Sequence, residues 1–430
     1  MRGRRPFNPW VLVFVVVACT GEPNLSPTGV PDPGSPQKDP LVPASHTDPP
    51  PVTVGVNNLQ LDLRQGLISD GLYKGVPVFF AGALAYGNSA TSVLLYHTGV
   101  AGASDFAGPG LPIEIVTAGA VADHQTLTLE TEAQDDQPEP TTPLGLIMAR
   151  ETFAYAAPPN DDFVIFKYTL FNPGPATITG LHVGQVHDFD LGIPVEGIVQ
   201  YDVGADLARY TTPPAPLAAG HLLLSDPTTS YTGFGRFGPP PNEPTSNAGW
   251  FAFLSGGIDP GPTGPDDVRH ILAHGPLSLA PGVSRVVAFA IVGGDDSTEL
   301  TANAAAARAK YSALPSAPYP IISVAVSISP SFLDLYDDED FEATFTFPNA
   351  KQARGVRANR VACGGARPDE DDVEWKGRRV TIEFSTEDLD PHLQNGDPIV
   401  CGGRLTDGTL YAGTHTPVVD GDDDEDGEDD

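Results

Sequence analysis

The sequence predicts an all-β protein: a large antiparallel β-sandwich followed by a small immunoglobulin-like β-sandwich, with a disordered N-terminal tether and an acidic C-terminal tail. Three observations carry this expectation. Short β-rich segments alternate with Gly, Pro, Asn and Asp over residues 54–292 and again after residue 320, a spacing that builds packed antiparallel sheets. Only residues 297–311, STELTANAAAARAKY, read as a helix. The two ends have compositions that can bury little: ten prolines and no Phe, Trp or Tyr over residues 20–52, and nine carboxylates with no cation over residues 420–430.

Composition narrows the function classes. The chain has 430 residues, with 23 Lys+Arg against 56 Asp+Glu and a formal net charge of −33. Nucleic-acid binding needs clustered cations, and this surface repels a polyanion. A hydrophobic content of 40% supports a real core. Three Cys exclude a disulfide-dense scaffold and a Cys-rich metal centre.

The N-terminus predicts an address. Arg2, Arg4 and Arg5 precede the apolar run WVLVFVVVA at 10–18, which closes on Cys19. A basic head and a run this short form a secretory signal; a bilayer-spanning helix needs about 20 residues. The sequence Val16-Val17-Ala18-Cys19 resembles the lipobox of bacterial lipoproteins, which implies a signal peptide at 1–18 and a lipidated Cys19. Residues 19–53 then form a Pro-rich tether to the membrane. The expected location is the exported side of the bacterial cell envelope, on the outer or the cytoplasmic membrane. With Cys19 acylated, Cys363 and Cys401 remain, each followed by Gly-Gly. An oxidising compartment favours one disulfide between them, against two separate buried thiols.

In the large domain, residues 54–313, strands are expected at 76–80, 92–96, 125–132, 163–171, 176–186, 249–254 and 285–292. FVIFKYTLF at 163–171 is almost continuously apolar, the pattern of a strand covered on both faces. Asn172-Pro173-Gly174 is turn chemistry, so 163–171 and 176–186 are expected to form a hairpin. The single helix has Asp295, Asp296 and Ser297 as candidate caps and Arg308 and Lys310 near its end. LPSAPYP at 314–320 marks the domain boundary. The small domain, 319–419, shows strands at 321–328, 341–347, 379–384, 399–404 and 409–413. The tail is 420–430.

The run FVIFKYTLFN at 163–172, the motif Asp188-Phe189-Asp190-Leu191-Gly192 and the later Tyr201-Asp202 resemble a β-rich module of large bacterial secreted and surface proteins. That module often stands beside subtilisin-like proteases, and its acidic motif usually has Trp where this chain has Phe189. The likeness spans roughly residues 55–310 and implies a β-sandwich without a defined activity. LTDGTLYAGTHTPVV at 405–419 is similar to small sandwich modules that close bacterial extracellular proteins.

Several constellations carry chemistry-bearing residue types. Alternation in an extended chain puts Asp188 and Asp190 on one side, with Asp202 on a nearby strand, so the three could hold calcium. The competing reading has these carboxylates capping turns and pairing with Arg209. His270 and His274 (HILAH) have zincin spacing without the intervening Glu, and read as half-buried strand histidines. Neither G-x-S-x-G nor a phosphate-binding glycine loop occurs. Trp250 reads as a core anchor within a strand, and Trp375 is left open. The expected function is therefore a lipid-anchored, non-catalytic surface module. It would bind a cell-surface protein or glycan, and no cofactor is called for beyond possible calcium. The alternatives are an exported hydrolase with a loop-dispersed active site and a calcium-stabilised surface module.

Overall fold

The apolar segment Phe163–Phe171 is a central strand buried along its whole length. Alternation divides its two faces. Val164, Phe166, Tyr168 and Leu170 enter the main core, while Phe163 and Ile165 pack under a helix. In this computed structural model the described residues are 51–420, except 65, 96–105, 108–113, 116–123, 133–143, 192–195, 213–216, 237–239, 336–338, 369–372, 390–392, 394 and 397. The expected signal peptide, Cys19, the expected tether up to residue 50 and the acidic run after Asp420 lie outside them. Val52 and Thr53, expected in the tether, already belong to the first strand.

Two sheets build the large sandwich. One runs β1 (Val52–Val54), β2 (Leu59–Leu63), β3 (Leu67–Tyr73), β4 (Val76–Ser89), β11 (Ile178–Asp188), β17 (Val268–Leu279) and β15 (Ser230–Gly235), with β5 (Ser92–Leu95) also on β4. The other runs β16 (Thr263–Asp266), β12 (Gly197–Asp202), β13 (Leu207–Thr211), β14 (Ala218–Leu223), β18 (Ser284–Gly294), β10 (Phe163–Phe171), β9 (Ile147–Ala154), β8 (His124–Glu132) and β6 (Phe106–Ala107), with β7 (Glu114–Ile115) also on β8. The pairs are antiparallel, and one apolar core joins the facing sides.

Two expected elements within the large sandwich differ in the structure. The hairpin of 163–171 with 176–186 does not form, because β10 pairs with β9 and β18 while β11 pairs with β4 and β17. The turn chemistry is present, with Gly174 N donating to Asn172 Oδ1, but it carries the chain from one sheet to the other. Residues 249–254 are helical rather than extended, within α1 (Asn247–Ser255). Ser246 caps this helix by accepting from Gly249 N, and Trp250 and Leu254 bury against Phe234 and Ile271. Capping and burial on one side override the β preference of the aromatics.

The expected helix is α2 (Ser297–Ser312). Asp296 caps it by accepting from Thr298 N and Glu299 N, and Leu300, Ala304 and Ala307 cover Phe163 and Ile165. Further along the same outer face of β10, Lys167 Nζ donates to Ala317 O at 2.9 Å and Tyr319 N donates to Thr169 Oγ1 at 2.8 Å. The Pro-rich boundary segment thus completes the double burial that the sequence predicted.

The C-terminal part has two four-stranded sheets. One is β19 (Ile321–Ser323), β27 (Leu410–His415), β26 (Ile399–Arg404) and β23 (Val361–Cys363). The other is β20 (Ala325–Ser329), β22 (Asp340–Thr346), β25 (Arg379–Ser385) and β24 (Glu374–Lys376). β21 (Phe332–Asp334) and β28 (Val418–Asp420) form a parallel pair. The single strand expected at 321–328 is split at Val324, whose N–H donates to Ala412 O, so its halves enter different sheets. Cys363 and Cys401 lie opposite each other on β23 and β26 and are disulfide-bonded.

Candidate functional site

The polar centre of the large sandwich begins with alternation on β11. Gln185 and His187, two residues apart, point into the space between the sheets. His187 stands in register with His270 of β17, and His221 comes from β14 in the opposite sheet. All three imidazoles are at most 1% exposed. Gly82, opposite His187 on β4, leaves room for the ring: a Cβ there would lie 2.7 Å from His187 Cδ2 and 2.7 Å from Phe79 Cζ.

Hydrogen bonding assigns the protons. Gln185 Oε1 only accepts, so His187 Nε2 (3.2 Å) and His221 Nε2 (3.1 Å) both donate to it. His221 Nδ1 is then an acceptor, and His270 Nε2 donates to it at 3.0 Å. Gln185 Nε2 closes the chain on the Tyr168 hydroxyl at 3.0 Å. Nδ1 of His187 and Nδ1 of His270 have no hydrogen-bond partner among the described residues. Burial drives all three histidines below the usual range, His270 to about 3, and neighbouring imidazoles add to the effect at His187 and His221. The cluster is a neutral network.

Ring nitrogens of the three histidines approach within 4.8 Å of one another, near the spacing of a transition-metal site. Their orientations oppose that use. His187 and His221 stack at 3.8 Å between centroids with 22° between planes, so their in-plane lone pairs run side by side instead of converging. Both Nε2 atoms are also turned to Gln185.

One residue beyond His187, β11 ends at Asp188, which stands opposite Arg269. Arg269 Nε donates to Asp188 Oδ2 at 2.8 Å, and Nη1 reaches Glu243. Carboxylate oxygens of Asp188, Asp190 and Asp267 lie within 4.8 Å of one another. Burial, opposed by Arg269 and reinforced by Asp190 and Asp267, pushes Asp188 up to about 7. Burial and Asp267 also raise Asp190.

Of the three aspartates singled out in the sequence, the fold brings Asp188 and Asp190 together and leaves Asp202 out. Asp202 accepts from Arg209 Nη2 at 2.6 Å and from Gly204 N and Ala205 N at 3.0 Å each, the turn-capping role of the competing reading. Asp267 completes the group instead. His270 is a core residue rather than half-buried. His274 is separate from it, its Nδ1 donating to Pro227 O at 2.8 Å. Trp375 is exposed, its Nε1 donating to Ala353 O. Gln185 and His221 had only a weak sequence signal, as single polar residues inside apolar strands.

Asp190 also lines an open cleft of about 390 Å³ on β2, β3 and β4. Asp62, Asp70, Pro77, Phe79 and Phe80 share its walls. Asp70 has a left-handed backbone, φ 53°, which Asp tolerates better than most residues, and Ser69 Oγ donates to its carboxylate. Phe80 is 51% exposed, whereas Phe79 is buried and meets the ring of His187 edge-on. The cleft wall and the histidine network are thus one residue apart on β4.

No family model and no curated protein matches the chain. Solved structures with β-rich folds are similar in shape. A proposed aldose 1-epimerase of Escherichia coli K12 shares 12% identity over 57% of this chain and 98% of its own, with a TM-score of 0.36. A GalM/aldose epimerase homologue of C. elegans shares 8% over 57% and 98%, with a TM-score of 0.32. A polysaccharide lyase shares 10% over 85% of this chain and 47% of its own, with a TM-score of 0.27. Likenesses at this level carry no statement about activity.

Proposed function

We propose that the chain is a lipid-anchored protein of the bacterial cell envelope whose large sandwich binds a partner without transforming it. The observation that supports this best is the seclusion of the histidine network. A general base must come within hydrogen-bond reach of the proton it takes. His187, His221 and His270 are sealed, neutral and engaged with Gln185 and one another. Solvent meets the Phe80 cleft instead, where carboxylates lie beside an aromatic face. Such a surface accepts hydrogen bonds from hydroxyls and stacks on sugar C–H faces while repelling polyanions. The partner class is therefore a neutral or amino-bearing glycan of the cell surface. The lipobox at Cys19 would supply the anchor, and the Pro-rich composition of residues 20–52 is that of a spacer.

Two arms test this reading on the full chain in a bacterial host. Labelled palmitate enters the wild type and not Cys19→Ser, and the wild type is reached by protease added to the exported side. On an array of neutral and amino-bearing glycans, bound ligands are released by Phe80→Ala and elute chemically unchanged. An unlabelled cytosolic chain contradicts the anchor. Turnover of a bound glycan that His221→Ala abolishes contradicts the non-catalytic part and favours the exported hydrolase.

A further inference from the structure

Where β11 ends and β17 begins, four carboxylates meet two guanidinium groups. Asp188 and Glu243 share Arg269, and Asp267, 15% exposed, faces the exposed Arg236 at 3.6 Å. Asp190 adds a carboxylate within reach of Asp188 and Asp267. With all four carboxylates ionised, the local balance is two negative charges in excess. Asp188 supplies a second, independent observation. Its side chain is 4% exposed, and only Oδ2 is engaged by Arg269. Oδ1 is sealed from solvent and has no hydrogen-bond partner among the described residues. A buried carboxylate oxygen without a donor carries its full desolvation cost, so a bound positive charge is the natural complement.

Geometry and chemistry select the kind of ion. The donors are hard carboxylate oxygens, which suit calcium, magnesium or manganese rather than a soft metal. Two oxygens on one calcium, each about 2.4 Å away, can be at most about 4.8 Å apart, whereas around magnesium the limit is near 4.2 Å. The Asp188, Asp190 and Asp267 oxygens lie within 4.8 Å of one another, inside the calcium limit, and calcium tolerates the irregular geometry of ligands drawn from strand ends better than magnesium does. Asp190 also faces the cleft, which gives a hydrated ion a route to Asp188.

We propose that Asp188, Asp190 and Asp267 hold one calcium-sized divalent cation that ties the segment after β11 to the start of β17. The three ligands come from both sides of the β11–β17 pair, so the ion links segments about eighty residues apart in the chain. Arg269 keeps its bond to Asp188 Oδ2, and the ion takes up the excess charge. The site shares Asp190 with the cleft wall, and its calcium titration is read with no glycan present.

The test uses the full chain stripped with EDTA and returned to chelator-free buffer. Calcium chloride is titrated in by calorimetry, and thermal unfolding is followed in parallel. One binding event is expected, with Tm rising by roughly 3–8 °C at a hundredfold excess over Kd. Magnesium at equal concentration gives a smaller rise. Asp267→Asn and Asp190→Asn each weaken calcium binding at least tenfold, while Asp202→Asn titrates like the wild type. Circular dichroism of the calcium-free variants separates loss of the site from loss of the fold, and Asp190→Ser is a second change at the partly buried ligand. Absence of both heat and Tm shift in the wild type overturns the proposal. So does wild-type affinity in the Asp190 and Asp267 variants, the result expected if calcium is taken up only by the acidic run at 420–430.

Discussion

The two sandwiches fill their interiors with different chemistry. Between and around the sheets of the large one, Glu151, Lys167, Gln185, His187, His221 and His270 are buried among apolar side chains. In the small one the buried set is almost wholly apolar, with Thr386 the polar exception among the described residues, and the disulfide Cys363–Cys401 spans neighbouring strands. Apolar cores need only volume and shape, and a covalent link adds stability through the unfolded chain. Polar cores need every donor matched to an acceptor, and they fail steeply when one partner is lost. The large sandwich is therefore the part whose stability responds to protons and to single polar substitutions. The small one responds to reduction.

Acid gives the largest separation. The three histidines are depressed in the fold, so their contribution is complete above the unfolded value near 6.5 and is lost as pH falls below it. Asp188, raised to about 7, works in the opposite sense: its contribution is present below the unfolded value and is lost as pH rises through 7. Between pH 6.5 and 4.5 the unfolded chain gains one to two more protons than the fold at these groups. Calcium-free protein should lose roughly 1.4–2.7 kcal/mol of large-sandwich stability per pH unit, measured by urea unfolding. A flat profile over that window would remove the contrast with the small sandwich.

Glu151→Ala should cost about 3–5 kcal/mol, because it strands the Lys167 ammonium, 3.1 Å from Glu151 and 3% exposed. The double change Glu151→Leu with Lys167→Met should recover most of that loss, since an apolar pair needs no desolvated charge. Gln185→Leu keeps the side-chain volume but leaves the Nε2–H groups of His187 and His221 without their acceptor. It should cost about 2–4 kcal/mol in the same assay. For the small sandwich, Cys363→Ala with Cys401→Ala should lower stability by about 2–4 kcal/mol, read as an earlier unfolding transition that leaves the histidine signals in place. The smallest effect is expected at Asp202→Asn, below about 1 kcal/mol, because the Arg209 pair is partly exposed and screened.

The sequence was most informative where burial is local and least where it depends on distant partners. FVIFKYTLF announced burial on both faces, and that is where α2 and the Pro-rich segment sit. Its pairing was not legible, because Asn172-Pro173-Gly174 suits both a hairpin and a crossover to the other sheet. GWFAFL has strand-forming aromatics, yet Ser246 as a cap and the buried faces of Trp250 and Leu254 made a helix. The acidic motif disclosed Asp188 and Asp190 because both belong to one extended stretch. Asp267 became their neighbour through the long-range pairing of β11 with β17, while Asp202, closer in sequence, turned to Arg209. The histidine network has the same origin. It draws on β11, β14 and β17, and local pattern shows only isolated polar residues in apolar runs.

The decisive measurement is an NMR titration of ¹⁵N-histidine-labelled protein from pH 8 to 5. Three imidazoles should hold constant shifts as neutral Nε2–H tautomers and lose that signature only when the large sandwich unfolds, with His221→Phe and His270→Phe assigning their resonances. If any of the three instead titrated near 6.5 in the folded protein, the sealed network, and with it the division between a secluded polar core and an open cleft, would be contradicted.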